Sequence, residues 1–342
     1  MKNKVSFYLS FLILGLTACL DEVKVPINQK TEQLVVEGLV TNEAVQYSIR
    51  LSNTIQFGDV DARSPVRGAL ITVTDNENRS VVFRAVPEEA GLYRTNDRSF
   101  VGKPGNTYTM TINLPDGRTY VSTPERMPSS IPIDKLSAEF QQKDEQGRPL
   151  ELGYRVRLDL RDQKNEENYY RWTAWGVYTR RSTGVPVGFG GAICCSTCWV
   201  VKEDKGLNLF ADTNLDGGLI RNRPVYFSPF FFYGKHYVEV TQYAINRNAY
   251  QFWQRFRSQL NRSGTIFDPL PAAVLGNVAN TANPADIALG YFEVASLSKK
   301  RLVIPGDTLA SKVDFPRNFV KEGDCLTAYP FSVYADQPPP GW

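Results

Sequence analysis

The stretch Tyr108-Thr109-Met110-Thr111-Ile112-Asn113-Leu114 puts an apolar side chain at every second position, and Pro115-Asp116-Gly117 follows it at once. Successive side chains of a strand point to opposite faces, so this period fixes an extended chain with one buried face. The Asp-Gly pair supplies the positive φ of a tight hairpin turn and sends the chain back into Tyr120 and Val121.

The same grammar recurs along much of the chain. Leu34-Val35-Val36-Glu37-Gly38-Leu39-Val40 opens as a strand, and Tyr47, Ile49 and Leu51 alternate with Ser48, Arg50 and Ser52. Ala69, Ile71 and Val73 share a face, and Asp75-Asn76-Glu77-Asn78 turns the chain. Further on, Tyr154, Val156, Leu158 and Leu160 alternate with Arg155, Arg157, Asp159 and Arg161. The run YYRWTAWGVY from Tyr169 to Tyr178 is aromatic on both faces, which reads as a strand buried on both sides. Seventeen Tyr and 19 Phe agree with a β-rich protein. One segment follows a helical period instead. Ala249, Phe252, Trp253, Phe256 and Leu260 form a stripe that predicts a helix near 248–261, with Asn248 as N-cap and Gly264 as stop.

Proline and serine in ERMPSSIP, residues 125–132, mark a linker. The expected fold class is mostly β: an N-terminal immunoglobulin/prealbumin-like β-sandwich over 34–125, then a larger β-rich domain over 133–342 with at least one α-helix. The sandwich assignment rests on PVRGALITVTD, GLY and PGNTYTMTINLPDGRTY, which resemble the prealbumin-like, carboxypeptidase-regulatory-like sandwiches of exported proteins. Leu289 to Val294 and Lys300 to Pro305 read as a final pair of strands.

The first residues read as an address. Lys2 and Lys4 precede an apolar run from Val5 to Leu16, too short for a spanning helix. Leu16-Thr17-Ala18-Cys19 resembles the lipobox of bacterial lipoproteins. The resemblance implies a signal peptide over 1–18, acylation of Cys19 and a tether over 19–33, so that the chain is lipid-anchored without crossing the membrane. Asp21 and Glu22 resemble the surface-export signal of Bacteroidota-type lipoproteins, which implies the outer membrane and the cell surface. The formal net charge is only +3, and Lys2 and Lys4 belong to the leader. So balanced a body argues against a nucleic-acid partner.

Catalytic signals are sparse. His236 is the single histidine, which excludes a multi-histidine metal site and reads as structural. The chain has no H-E-x-x-H, nucleophile or Walker motif. Gly188-Phe189-Gly190-Gly191 lacks the Lys-Ser/Thr and helix of a phosphate loop. Asp212-Thr213-Asn214-Leu215-Asp216-Gly217 matches the opening of a calcium loop through Asp212, Asn214 and Asp216, but the closing acid is replaced by Arg223. A plain turn is the competing reading. Phe230, Phe231, Phe232 and Tyr233 lie between Pro229 and Gly234 and form a candidate partner contact, with a buried strand as the alternative.

With Cys19 lipidated, Cys194, Cys195, Cys198 and Cys325 remain. In an exported protein four thiols make two disulfides. A Cys194–Cys195 bridge strains its peptide, so the expectation joins Cys325 to Cys194 or Cys195 and closes Cys198 with the other. Zinc held by four thiolates is the alternative.

ACLDEVKVPINQKTEQLVVEGLVTNE, PVRGALITVTD, the cysteine cluster with Trp199, and DPLPAAVLGNVAN with LGYFEVAS together resemble a Bacteroidota-type outer-membrane lipoprotein family, domain-of-unknown-function family 4249. The resemblance spans nearly the whole chain after Cys19. It implies an outer-membrane lipoprotein often associated with a TonB-dependent receptor, with no catalytic residues to carry over. The functional expectation is a non-enzymatic accessory or ligand-binding partner of a TonB-dependent transporter in nutrient uptake, needing no cofactor unless calcium fills the Asp212 loop. An accessory of outer-membrane protein assembly or secretion is one alternative, and a surface hydrolase is the other.

Overall fold

The structure is a computed structural model that describes residues 32–54, 64–143, 149–183, 196–213, 217–231, 234–260, 273–306, 320–335 and 337–342. Its first half supplies short strands joined by tight turns: β1 (Leu34–Thr41), β2 (Ser48–Asn53), β3 (Ser64–Pro65), β4 (Leu70–Asp75), β5 (Ser80–Ala85), β6 (Leu92–Thr95), β7 (Thr107–Asn113), β8 (Thr119–Ser122) and β9 (Glu125–Arg126). The period of two in β7 is met: Tyr108, Met110 and Ile112 are fully buried, and the residues between them are half-buried. Gly117 takes φ +89° in the predicted turn, and Leu114 N–H donates to the Arg118 carbonyl at 2.9 Å. Asn78, at φ 62°, turns β4 into β5, while one Asp75 oxygen accepts from the Glu77 and Arg79 amides.

The remaining elements are β10 (Lys135–Lys143), β11 (Pro149–Arg161), β12 (Tyr169–Ser182), β13 (Ser196–Glu203), β14 (Asn208–Ala211), β15 (Leu219–Pro229), β16 (His236–Ile245), helix α1 (Arg247–Leu260), β17 (Leu275–Asn280), β18 (Ile287–Ile304), β19 (Val320–Lys321), the single-turn helix α2 (Cys325–Ala328) and β20 (Val333–Ala335).

The chain is mostly β, and nine strands close into a barrel. The ring runs β1-β2-β6-β5-β4-β7-β8-β17-β18 and returns to β1. Every pairing is antiparallel except the last, where β18 lies parallel to β1 from Val35↔Leu289 to Thr41↔Ala295. The two closing strands come from beyond 34–125, the segment read as a sandwich. Closure removes the exposed edges that an open sheet would leave. Ile49, Ile71, Val73, Phe83, Met110, Tyr120 and Phe292 fill the interior. Gly290 makes the parallel contact feasible: its φ is +76°, and a Cβ there would sit 2.1 Å from the Val36 carbonyl oxygen.

β18 is one strand of 18 residues, not the expected pair. Its first half belongs to the barrel. Its second half, Ser296 to Ile304, pairs antiparallel with β16. The polar stretch Ser296-Leu297-Ser298-Lys299 that looked like a break is the crossing point between the two. The 125–132 stretch, read as a linker, lies against this crossing. Met127 and Ile131 are buried, Ser130 Oγ donates to the Leu297 carbonyl at 3.0 Å, and Ser298 Oγ donates to the Ile131 carbonyl at 2.9 Å.

β12 is the centre of the second sheet, paired along its length with β16 on one side and with β13 and β14 on the other. Both of its faces are covered, as YYRWTAWGVY predicts: Tyr170, Trp172 and Val177 are at most 1% exposed. The three-stranded sheet β10-β11-β15 packs across it, and Tyr154, Val156, Leu158 and Leu160 meet Tyr170, Trp172, Val238 and Val240. The predicted helix is present, but its cap is Asn246, whose Oδ1 accepts from Ala249 N–H at 2.8 Å, two residues before the expected Asn248. Ala249 and Phe252 are buried, while Phe256 and Leu260 stay exposed, so the stripe is only half used by the core. Gly264 lies outside the described residues.

Candidate functional site

Helix α1 stands over the seam where β18 meets β1, and a cleft of about 360 Å³ opens beneath it. Phe252, Trp253 and Phe256 form its helical wall. Tyr291 and Glu293 come from β18, Gly38 and Leu39 from β1, and Arg171 from β12. The Phe252 ring lies 4.9 Å from Tyr291 and 5.2 Å from Trp253, so the wall is continuous.

At its base is a buried ion pair. Arg171 Nη2 donates to Glu293 Oε1 at 2.6 Å, with side chains 11% and 3% exposed. Trp253 Nε1 donates to the other Glu293 oxygen. The Arg171 guanidinium also lies over Tyr243, 3.9 Å from the ring centroid, and 5.1 Å from that of Trp253. Its Nε is buried and makes no hydrogen bond. A buried donor without an acceptor is costly, a cost that the Glu293 ion pair and the ring contacts at Tyr243 and Trp253 offset. At the rim, Glu37 carries a long contact to Arg50 at 4.0 Å.

A second carboxylate supports the cleft from behind. Glu125 is fully buried, and its oxygens accept from Tyr291 Oη at 3.0 Å, Asn277 Nδ2 at 3.0 Å, Thr123 Oγ1 at 2.9 Å and the capping Asn246. It therefore ties the helix start, β17 and β18 together. Burial and the Glu125 charge raise the Tyr291 phenol well above its ordinary value, so it stays protonated as a donor. Sequence reasoning did not single out Arg171 or Glu293. The available signal was a lone charge inside each apolar run, YYRW and GYFEVA.

The residues singled out from sequence lie elsewhere. Cys198 and Cys325 form a disulfide with Cα atoms 5.6 Å apart, closing 127 residues of chain. This corrects the expected pairing of Cys325 with Cys194 or Cys195. Cys198 and Val200 are the inward positions of β13, and Asp324 caps α2 so that Cys325 is presented to that face. Cys19, Cys194 and Cys195 lie outside the described residues, as do Asn214, Asp216, Phe232 and Tyr233. Phe230 offers a partner no surface: it is 4% exposed and packs on Phe140, Tyr154 and His236. Phe231 is half-buried under Arg180, 4.1 Å from its ring. His236 is buried, shares a 2.8 Å hydrogen bond between Nδ1 and Ser228 Oγ, and is driven by burial to a pKa of about 3. It is neutral at physiological pH.

Asp212 is buried beside Asp162, a partner that the sequence did not suggest. Burial, reinforced by the Asp162 carboxyl, pushes its pKa up. Tyr170 Oη donates to Asp162 at 2.5 Å. Among the described residues no group of three His, Cys, Asp or Glu side chains is placed to hold a metal ion.

No curated protein matches the chain. A family model described as a domain of unknown function, DUF4249, matches residues 21–301. That stretch contains every residue of the cleft and Cys198, and ends before Cys325. On this match, which covers most of its length, the chain belongs to the DUF4249 family.

Proposed function

We propose that this chain is a non-enzymatic lipoprotein, anchored in the outer membrane through acylated Cys19, that binds a small ligand for a TonB-dependent transporter in nutrient uptake. The barrel, read as a prealbumin-like sandwich closed by β17 and β18, serves as its rigid platform. The observation that carries the reading is the cleft under α1, an aromatic wall over a buried Arg171–Glu293 pair with one unsatisfied donor. Such a site is mostly apolar with a few fixed polar groups, the usual form of a small-molecule site. Glu293 is engaged by Arg171 and Trp253 on both oxygens, which suits it to orient a ligand and leaves it poorly placed to transfer a proton. That favours binding over the hydrolase alternative.

The test is to purify wild-type protein and Trp253→Ala from native membranes, denature both and compare the small molecules released. A compound enriched with the wild type and missing from the variant is the expected result. Identical profiles, with both proteins folded, would overturn the reading. The assembly-accessory alternative makes a different prediction: depletion would lower many outer-membrane proteins at once instead of the uptake of one nutrient.

A further inference from the structure

Helix α1 borders a second cleft that shares no lining residue with the first. It measures about 470 Å³ and brings together Arg155 from β11, Arg223, Pro224 and Phe227 from β15, Asn208 from β14 and Arg257 from the last turn of the helix. Three guanidiniums meet here, and none has a carboxylate at ion-pair distance among the described residues. Arg155 uses its Nε on Gln141 Oε1 at 3.2 Å and lies 5.0 Å from the Phe227 centroid, and its two Nη nitrogens make no hydrogen bond with the described residues. Arg223 donates from Nη2 to Asn208 Oδ1 at 2.9 Å and to the Leu209 carbonyl at 3.1 Å, while its buried Nε has no partner. The Arg257 guanidinium makes no ion pair or hydrogen bond with the described residues.

One acid, Asp204, also lines the cleft. Its Oδ1 accepts from the Gly206 amide at 3.0 Å, and it leaves the cleft with an excess of two positive charges. Burial and then Arg257 lower the pKa of Arg223, while burial and Arg157, which lies outside the cleft lining, lower that of Arg155 against the opposing pull of Asp204. Like charges held together in a half-buried cleft are stabilised by a counter-anion, and guanidiniums suit planar or tetrahedral oxyanions.

We propose that this cleft is an anion site, which takes a small solute bearing a phosphate or sulfate ester group on Arg155, Arg223 and Arg257, with its apolar part laid on Phe227 and Pro224. Phe227 is the ring over which Arg155 and Lys202 already gather, so an aromatic or sugar ring has both a floor and a charged rim.

The experiment is calorimetric titration of the full lipidated protein in detergent at ~20 mM salt, where screening is weak. The probes are 4-nitrophenyl phosphate, 4-nitrophenyl sulfate and neutral 4-nitrobenzyl alcohol. Saturable binding of one charged probe with Kd below about 1 mM, and none of 4-nitrobenzyl alcohol, is expected; which probe binds tells phosphate from sulfate. Arg257→Gln, on the helix surface, and Arg155→Gln should each weaken it about tenfold or more, the loss of a charge-assisted bond. Trp253→Ala, in the other cleft, should leave it unchanged, so failure here and failure of the uptake reading are separable. No saturation by either charged probe at about 10 mM, or binding retained in both arginine variants with circular dichroism unchanged, would overturn the proposal.

Discussion

Replacing Glu293 alone should be far more damaging than removing the Arg171–Glu293 pair as a unit. The two side chains are 11% and 3% exposed and 2.6 Å apart, so solvent screens them little. Two unit charges about 4 Å apart at an effective dielectric of about 20 attract by about 4 kcal/mol. Glu293→Leu leaves the Arg171 cation buried with only ring faces for company, and should cost about 3–5 kcal/mol of stability. Arg171→Met combined with Glu293→Leu removes both charges. It should cost only about 1–2 kcal/mol, chiefly the acceptor lost by Trp253 Nε1. The assay is urea unfolding of wild type, both single variants and the double variant, followed by Trp fluorescence and far-UV dichroism. A double variant whose loss equals the sum of the two single losses would show that the pair is not coupled. So would a Glu293→Leu loss below about 1 kcal/mol. Either result would show that the base of the cleft is not a coupled, buried ion pair.

Gly290→Ala should open the barrel seam, because its Cβ would meet the Val36 carbonyl. Gly105→Ala, also at positive φ but with nothing within 4 Å, should show only the backbone cost of about 1–2 kcal/mol; equal losses in the two would refute the close contact. Non-reducing peptide mapping should recover Cys198 joined to Cys325, and replacing both by Ser should lower stability by up to about 5 kcal/mol, the closure entropy of so long a loop; a Cys325 peptide joined to Cys194 or Cys195 would contradict the fold around α2. Because the folded pKa of Asp212 is raised, its contribution is fully present below the unfolded carboxylate range and is lost as pH rises through the folded value. Asp212→Asn should therefore raise the melting temperature at pH 7 and gain progressively less as pH falls toward 3.5, and the reverse order would refute the sign. If wild-type protein melts higher with added calcium and Asp212→Asn does not, the loop at Asp212 is a calcium site.

What could be read from the chain was local. The alternation of Tyr108, Met110 and Ile112, the Asp116-Gly117 turn, the two-faced burial of β12 at Trp172 and Val177, and the helix stripe all depend on neighbours within a few positions. What could not be read depends on pairing across the chain. Arg171 and Glu293 are 122 residues apart, and β1 accepts β18 across about 250. No local pattern announces that two late strands complete a ring begun at Leu34. The disulfide was missed for a subtler reason. Treating the four thiols as combinations to be ranked by strain ignored the parity of β13, where Cys198 and Val200 are the inward side chains. Asn246 was missed as a cap because Asn248 also fits the helix start, and only the bond to Ala249 distinguishes them.

The proposed partnership with a transporter is tested most directly by recovering the protein from native membranes in mild detergent after crosslinking and identifying what comes with it. One outer-membrane barrel receptor of the TonB-dependent class, in fixed stoichiometry and retained when Trp253 is replaced by Ala, is the expected result. Recovery as a lone monomer, with crosslinks to no barrel protein, would contradict it.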